Sequence, residues 1–243
     1  MGFLSRLFGQ TPKRVTQVSR SSTEPPASPM PPLPHSDPSC PYCHKALPKV
    51  PTRKAACPFC GNPILVRRTN VISPGIPLLT EADAHAADFL KTLQATHGEF
   101  AENRKALVAQ WGRSPSAGDV AWRVVQHRIR ASRQYSELKA YHWSAVSFLA
   151  AEGRDWLAEL REAHRADLLG WKQNANHGLL DSASARVVVI ATPNCCETCR
   201  KVASKKYRLD EALRDNPLPV IGCSTEQKGL PRGWCRCCYG LDV

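Results

Sequence analysis

The sequence predicts an α+β multi-domain protein: a small four-cysteine module near the front, an all-α middle and a small cysteine-rich α+β module at the end. Three observations predict it. The 11 cysteines fall in two groups, Cys40, Cys43, Cys57 and Cys60, then Cys195, Cys196, Cys199, Cys223, Cys235, Cys237 and Cys238, with none between. The stretch separating them repeats apolar residues at spacings of three and four, the period of a helix with one buried face. A β-branched run, Arg186 to Thr192, then reads as a strand leading straight into the second group.

Taken in order, residues 1–9 (MGFLSRLFG) set Phe3, Leu4, Leu7 and Phe8 on one side of a short amphipathic segment. Two turns bury too little to hold alone. From Ser21 to Ser39, seven of 19 residues are proline. Proline fixes φ and removes amide donors, so residues 10–38 read as a disordered tether. Residues 39–72 form the first cysteine module, and 73–79 (SPGIPLL) a Pro/Gly joint.

The helical domain is expected over 80–173. Thr80 with Asp83 reads as an N-cap and acidic first turn, opening a helix through Ala84, Ala87, Leu90 and Leu93. A second helix is expected from about Phe100 to Trp111, stopped by Gly112 and Pro115. A third starts near Asp119 with Val120, Val124, Val125 and Ile129. A fourth carries Leu138, Tyr141, Ala145, Phe148 and Leu149 and breaks at Gly153. A fifth runs from about Asp155 to Lys172. The last two read as an antiparallel hairpin. No second copy recurs at a fixed period, which argues against a repeat array. Residues 185–243 make the C-terminal module.

Charge is uneven. Of the net +12, residues 1–80 carry +8 (10 basic, 2 acidic), 81–180 carry +1 and 181–243 carry +3. No stretch approaches the ~20 apolar residues needed to span a bilayer, and the N-terminus lacks a secretory apolar region with a cleavage site. A soluble, cytoplasmic protein is expected. An odd number of cysteines in two tight clusters argues for reduced thiolates used as metal ligands rather than a disulfide framework.

The first cluster is Cys40-Pro-Tyr-Cys43, 13 residues, then Cys57-Pro-Phe-Cys60-Gly61. Tetrahedral zinc takes four soft ligands, and each CxxC turn supplies two. Gly61 stands where the chain must bend to aim amides at the sulfurs. With four cysteines filling the tetrahedron, adjacent His44 is not needed. The stretch Cys40 to Arg68 resembles zinc-ribbon modules common in bacterial and phage-borne proteins. That resemblance implies a metal-held pair of β-hairpins and no particular activity. A four-thiolate zinc site carries a net charge of about −2. Lys45, Lys49, Arg53, Lys54, Arg67 and Arg68 exceed what would balance it, so the ribbon either contacts nucleic acid through these six or is a protein-binding or structural module. Tyr42 and Phe59 are placed to stack a base.

The second cluster offers Cys196 and Cys199 as one knuckle and Cys223 as a third ligand. The fourth comes from Cys235 or Cys237, with Cys237 preferred. A basic helix from Arg200 to Lys206 and the segment Leu209-Asp210-Glu211-Ala212-Leu213 lie between. A strand, a CxxC and a following helix also describe a thioredoxin-like site. Only 44 residues follow Cys199, too few for the rest of such a fold. The order of strand, CxxC, "EAL" helix, Pro-Leu-Pro, Cys and CRC resembles uncharacterised bacterial proteins with this terminal module. More distantly it is similar to the C-terminal tail of minor head-morphogenesis proteins of tailed phages, with Cys223 where that tail usually has His. No activity is carried over from either.

A metal nuclease would need imidazole, and all eight histidines precede residue 178. His142, beside the apolar helical face, reads as a packed side chain. No phosphate-binding loop, nucleophile elbow or HExxH helix is present. The function expected is therefore a non-catalytic zinc-binding protein, with two Zn2+ per chain, acting on DNA or RNA or as an adaptor. A protein partner would dock on the helical domain or the N-terminal segment. The alternative is an enzyme, either thiol redox at Cys196/Cys199 or a nuclease completed by a partner.

Overall fold

The computed structural model describes residues 38–181, 183–203, 205–226 and 233–242. The expected amphipathic segment 1–9 and all but the last residue of the expected tether 10–38 lie outside them. The fold is α+β, with seven helices and two small antiparallel sheets among the described residues. Among the described residues no helix is long and apolar enough to cross a membrane.

In the N-terminal module, β1 (Ala55–Ala56), β2 (Pro63–Val66) and β3 (Leu78–Leu79) pair antiparallel in that order. Leu65 faces Leu79 and Val66 faces Leu78 in register. The first cysteine loop closes through a single bridge between Ser39 and Ala46. The small core holds Cys40, Leu47, Cys57, Ile64 and Leu78. The Pro/Gly joint thus contributes a strand: Pro74 and Gly75 (φ 83) make a turn closed by the Ile76 amide on the Ser73 carbonyl at 3.1 Å, and after Pro77 the strand buries Leu78 and Leu79.

Five helices follow, four of them with starts fixed by local side-chain chemistry. Helix α1 (Glu81–Thr92) has Thr80 as N-cap, its hydroxyl accepting from the Asp83 amide at 3.0 Å. Thr96 caps α2 (His97–Trp111) by accepting from the Glu99 amide. Ser116 and Asp119 form a reciprocal capping box that starts α3 (Ala117–Ala131) two residues before Asp119. Asp155 stays outside α5 (Leu157–Asn176), its carboxylate accepting from the Leu157 amide. Helices α4 (Tyr135–Ala151) and α5 run antiparallel: Tyr135 meets Gly170, Lys139 pairs with Asp167 at 2.8 Å, and Trp143 meets His164. The core of the first four helices includes Phe89, Leu90, Phe100, Leu107, Val120, Val124, Val125, Ala145 and Phe148. His142 is buried, with Nδ1 2.6 Å from Glu159 Oε2.

The C-terminal sheet has order β5-β4-β6, all antiparallel, from β4 (Arg186–Ile190), β5 (Lys206–Arg208) and β6 (Cys238–Asp242). Short helices α6 (Glu197–Ala203) and α7 (Leu209–Asp215) lie between β4 and β6 in sequence. Leu168 of α5 joins Val187, Val189, Leu209, Leu218, Cys199, Cys235, Cys237 and Tyr239 in one core. The Tyr239 hydroxyl accepts from the Leu218 amide and donates to Asn216 Oδ1, both at 3.0 Å. An aromatic cluster of Trp143, Trp156, Trp234, His164, Trp171 and Tyr239 ties α4 and α5 to this module.

His164 is the buried exception in that cluster. It is 2% exposed, and its Nε2 has no hydrogen-bond partner among the described residues. Burial, with the nearby Lys139 charge, pushes its pKa down to about 4. The unfolded chain takes a proton at His164 below ~6.5 while the folded one refuses it until about 4. Stability at this residue is therefore full above pH 6.5 and falls as pH drops toward 4, by roughly 3 kcal/mol. His164→Leu should remove that component, so its melting temperature should fall less than the parent's between pH 7 and 4.5. Parallel curves would contradict this account of His164.

Candidate metal centres

Each N-terminal knuckle is built the same way. The Tyr42 amide donates to Cys40 Sγ and the Phe59 amide to Cys57 Sγ, both at 3.4 Å. The amide after each second cysteine returns to the first cysteine's carbonyl, His44 to Cys40 and Gly61 to Cys57, both at 2.9 Å. That return needs left-handed backbone, and His44 has φ 58 and Gly61 φ 73. His44 thus serves as a turn residue and belongs to none of the possible ligand groups.

The four sulfurs Cys40, Cys43, Cys57 and Cys60 all lie within 4.8 Å of one another. Two edges, Cys40 to Cys60 and Cys43 to Cys57, measure 3.8 and 3.9 Å. A tetrahedron with metal–sulfur bonds of about 2.3 Å has edges of about 3.8 Å. The site fits such an ion. Burial opposes ionisation of Cys57, but the Phe59 and Cys60 amides and the Cys40 and Cys60 thiols outweigh it, lowering its pKa to about 6. At Cys60 the Asn62 amide favours the thiolate, yet burial and the neighbouring thiols push the pKa up to about 11.

The C-terminal cluster is assembled from three places: the entry to α6 (Cys196, Cys199), the loop after Pro219 (Cys223) and the approach to β6 (Cys235, Cys237). Two three-sulfur groups share Cys199, one with Cys196 and Cys223, the other with Cys235 and Cys237. Their measured edges are 3.9 Å for Cys196 to Cys223, 3.5 Å for Cys199 to Cys223 and 3.8 Å for Cys199 to Cys235. These also match a metal–thiolate polyhedron. The Cys237 thiol hydrogen-bonds Cys235, and despite burial this brings the Cys235 pKa down to about 5. Cys237 is pushed up by the same contact and by burial, and Cys199 is pushed up by burial and by Cys196. Cys196 is lowered to about 6, because amides of Cys199 and Ser224 and its thiol neighbours outweigh burial. Cys195 and Cys238 belong to neither group. The nine cysteines named as ligand candidates thus fall into one four-sulfur group and two three-sulfur groups joined at Cys199, groups that could hold a metal ion such as zinc.

The six basic residues of the N-terminal module are placed differently from one another. Arg67 forks onto Asp88 of α1, with Nε 2.7 Å from Oδ1 and Nη2 2.6 Å from Oδ2, tying the module to the helices. Lys54 lies 3.6 Å from Glu81 at an exposed pair. Lys45 sits 5.4 Å from the centre of the Phe59 ring, which is 50% exposed. Lys49, Arg53 and Arg68 are exposed and have no carboxylate partner among the described residues. Tyr42 is also engaged, its hydroxyl accepting from the Glu81 amide at 2.9 Å. The ion pairs of Arg67 and Lys54 reach residues 21 and 27 positions away, which no local pattern signals.

No protein-family model matches the chain, and neither a curated protein nor a solved structure matches it.

One backbone position tests the C-terminal arrangement. Gly233 has φ +82, and a Cβ there would stand 3.1 Å from the Cys223 carbonyl oxygen, whereas Gly222, with φ +75, has open space. Gly222→Ala should cost about 1 kcal/mol from left-handed backbone alone. Gly233→Ala should cost about 1 kcal/mol more, because the Cys223 segment must also give way. Chemical denaturation of both variants measures this; equal losses would show that the Gly233 contact carries no weight.

Proposed function

We propose that the chain is a non-catalytic zinc-binding protein that binds nucleic acid through its N-terminal cysteine module, a zinc ribbon. One zinc is held by Cys40, Cys43, Cys57 and Cys60. A second is held by Cys196, Cys199, Cys223 and Cys235, with Cys237 donating to the Cys235 thiolate from outside the shell. The choice of Cys235 over Cys237 rests on the 3.8 Å edge to Cys199 and on its lowered pKa. The zinc supplies structural cross-linking, and each ion replaces a core that its module is too small to build.

The observation that carries the nucleic-acid reading is the exposed Phe59 with Lys45 over it, flanked by Lys49, Arg53 and Arg68, cations without carboxylate partners among the described residues. Arg67 acts as a strut to α1, and Lys54 contributes only when it leaves Glu81. Four phosphate contacts give a log–log salt slope of roughly −3 to −4. Lys49→Ala with Arg53→Ala should make that slope shallower by about one to two units without releasing zinc. A flat salt response of the parent protein, or no binding of DNA or RNA at low salt, would reject this reading and leave the adaptor role.

The enzymatic alternative draws on Cys196, whose thiol is lowered to about 6 at the entry to α6. It needs Cys196 and Cys199 free. Elemental analysis under reducing conditions without chelator should return two zinc ions per chain. Cys57→Ser and Cys235→Ser should each lose one, while Cys237→Ser keeps both. Retention of both zincs in Cys235→Ser together with loss in Cys237→Ser would reverse the fourth-ligand assignment. One zinc only, with Cys196 reacting reversibly with peroxide, would favour redox chemistry.

A further inference from the structure

Helix α2 is mostly solvated. Only Phe100 and Leu107 are buried in its 15 residues, and it ends in Trp111, which is 38% exposed, at the left-handed Gly112. Three arginines ring the turn that leads to α3. The Arg113 guanidinium lies 5.0 Å from the centre of the Trp111 ring. Arg104 Nη2 donates to Ser114 Oγ, and Arg123 Nη1 to Gln110 Oε1, each at 3.3 Å.

All three guanidiniums therefore rest on neutral groups. None has a carboxylate partner among the described residues, whereas Arg67, Arg128, Lys139 and Lys172 are paired with Asp88, Glu99, Asp167 and Asp210. An exposed indole with a cation against it and two more beside it repeats, on the helical domain, the pairing of Phe59 with Lys45. A ring face stacks a base and guanidiniums take the flanking phosphates. A duplex buries its base faces, so the platform suits a single strand.

We infer that Trp111, with Arg104, Arg113 and Arg123, forms a second nucleic-acid contact selective for single-stranded DNA or RNA. The inference rests on the reading that the chain binds nucleic acid, and it assigns the form of the ligand. One base stacks on Trp111, displacing or sharing the face with Arg113, and the three arginines neutralise up to three phosphates.

The test uses the full zinc-loaded chain and two fluorescent probes, a 20-nucleotide oligothymidylate and a 20-base-pair duplex, titrated across a salt series. Trp111→Ala should weaken single-strand binding about tenfold and leave the duplex within twofold, and Trp111→Phe should restore most of the loss. The Arg104→Gln, Arg113→Gln, Arg123→Gln triple variant should make the single-strand salt slope shallower by about two units. Parent binding that neither variant alters overturns the inference and leaves the ribbon reading intact. Loss only in the patch variants, with Lys49→Ala/Arg53→Ala unaffected, overturns the ribbon reading and upholds the patch. Lowered melting temperature with unchanged affinity means that the arginines serve only the carboxyl end of α2, which overturns the inference. Binding of polyglutamate but neither oligonucleotide, abolished by the triple variant, marks an acidic-protein surface and overturns both.

Discussion

Sulfur atoms gathered 3.5 to 3.9 Å apart, the spacing that one shared metal ion would hold, are the constraint on which both cysteine modules depend. Ionised thiols repel at such distances, and protonated ones hold together only weakly. Within each cluster, hydrogen bonds between thiols favour ionisation of one partner and disfavour the other's, so Cys57 is shifted down and Cys60 up, Cys235 down and Cys237 up, each thiol still carrying or sharing its proton. In the proposed zinc-loaded protein the ion replaces those protons and binds chain segments that have little else to hold them. The N-terminal module has five buried core residues, two of them cysteines. At ~25 cal/mol per Å2 of apolar burial, so few side chains fall short of the entropy of ordering about 40 residues.

The helical part plays the opposite role, with a continuous apolar core that needs no cross-link. It also anchors both cysteine modules by specific contacts. Arg67 forks onto Asp88, and the Tyr42 hydroxyl takes the Glu81 amide at the free end of α1. At the other end Leu168, Trp171 and the edge-to-face series Trp143–His164–Tyr239 carry the C-terminal sheet. Tyr42 illustrates the consequence. A knuckle aromatic that looks free for a ligand is committed to the helix, which leaves Phe59 as the exposed one.

Residue patterns with a local mechanism were legible in the sequence. The Thr80/Asp83 cap, the buried stripe Ala84, Ala87, Leu90 and Leu93, the stop at Gly112 and both cysteine groupings all stand where local chemistry places them. Helix starts moved where a cap outranked the apolar period, with Thr96 opening α2 ahead of Phe100 and Ser116 opening α3 ahead of Asp119. Pairings over long range were not legible. β3 has two residues inside a proline-rich joint, and β6 lies in a run, Cys-Tyr-Gly-Leu-Asp, whose cysteine draws attention to metal. Its five-residue ladder with β4 exists only once the chain has folded. The same holds for charge: Arg67 and Lys54 count as surplus until Asp88 and Glu81 are brought to them, and the surplus at Arg104, Arg113 and Arg123 emerges only when α2 and α3 meet.

X-ray absorption at the zinc edge, on protein purified under reducing conditions without added metal, tests the central claim most directly. The account predicts an all-sulfur first shell of four atoms at about 2.3 Å, averaged over both sites. A shell containing nitrogen or oxygen at about 2.0 Å, or no zinc, would contradict it.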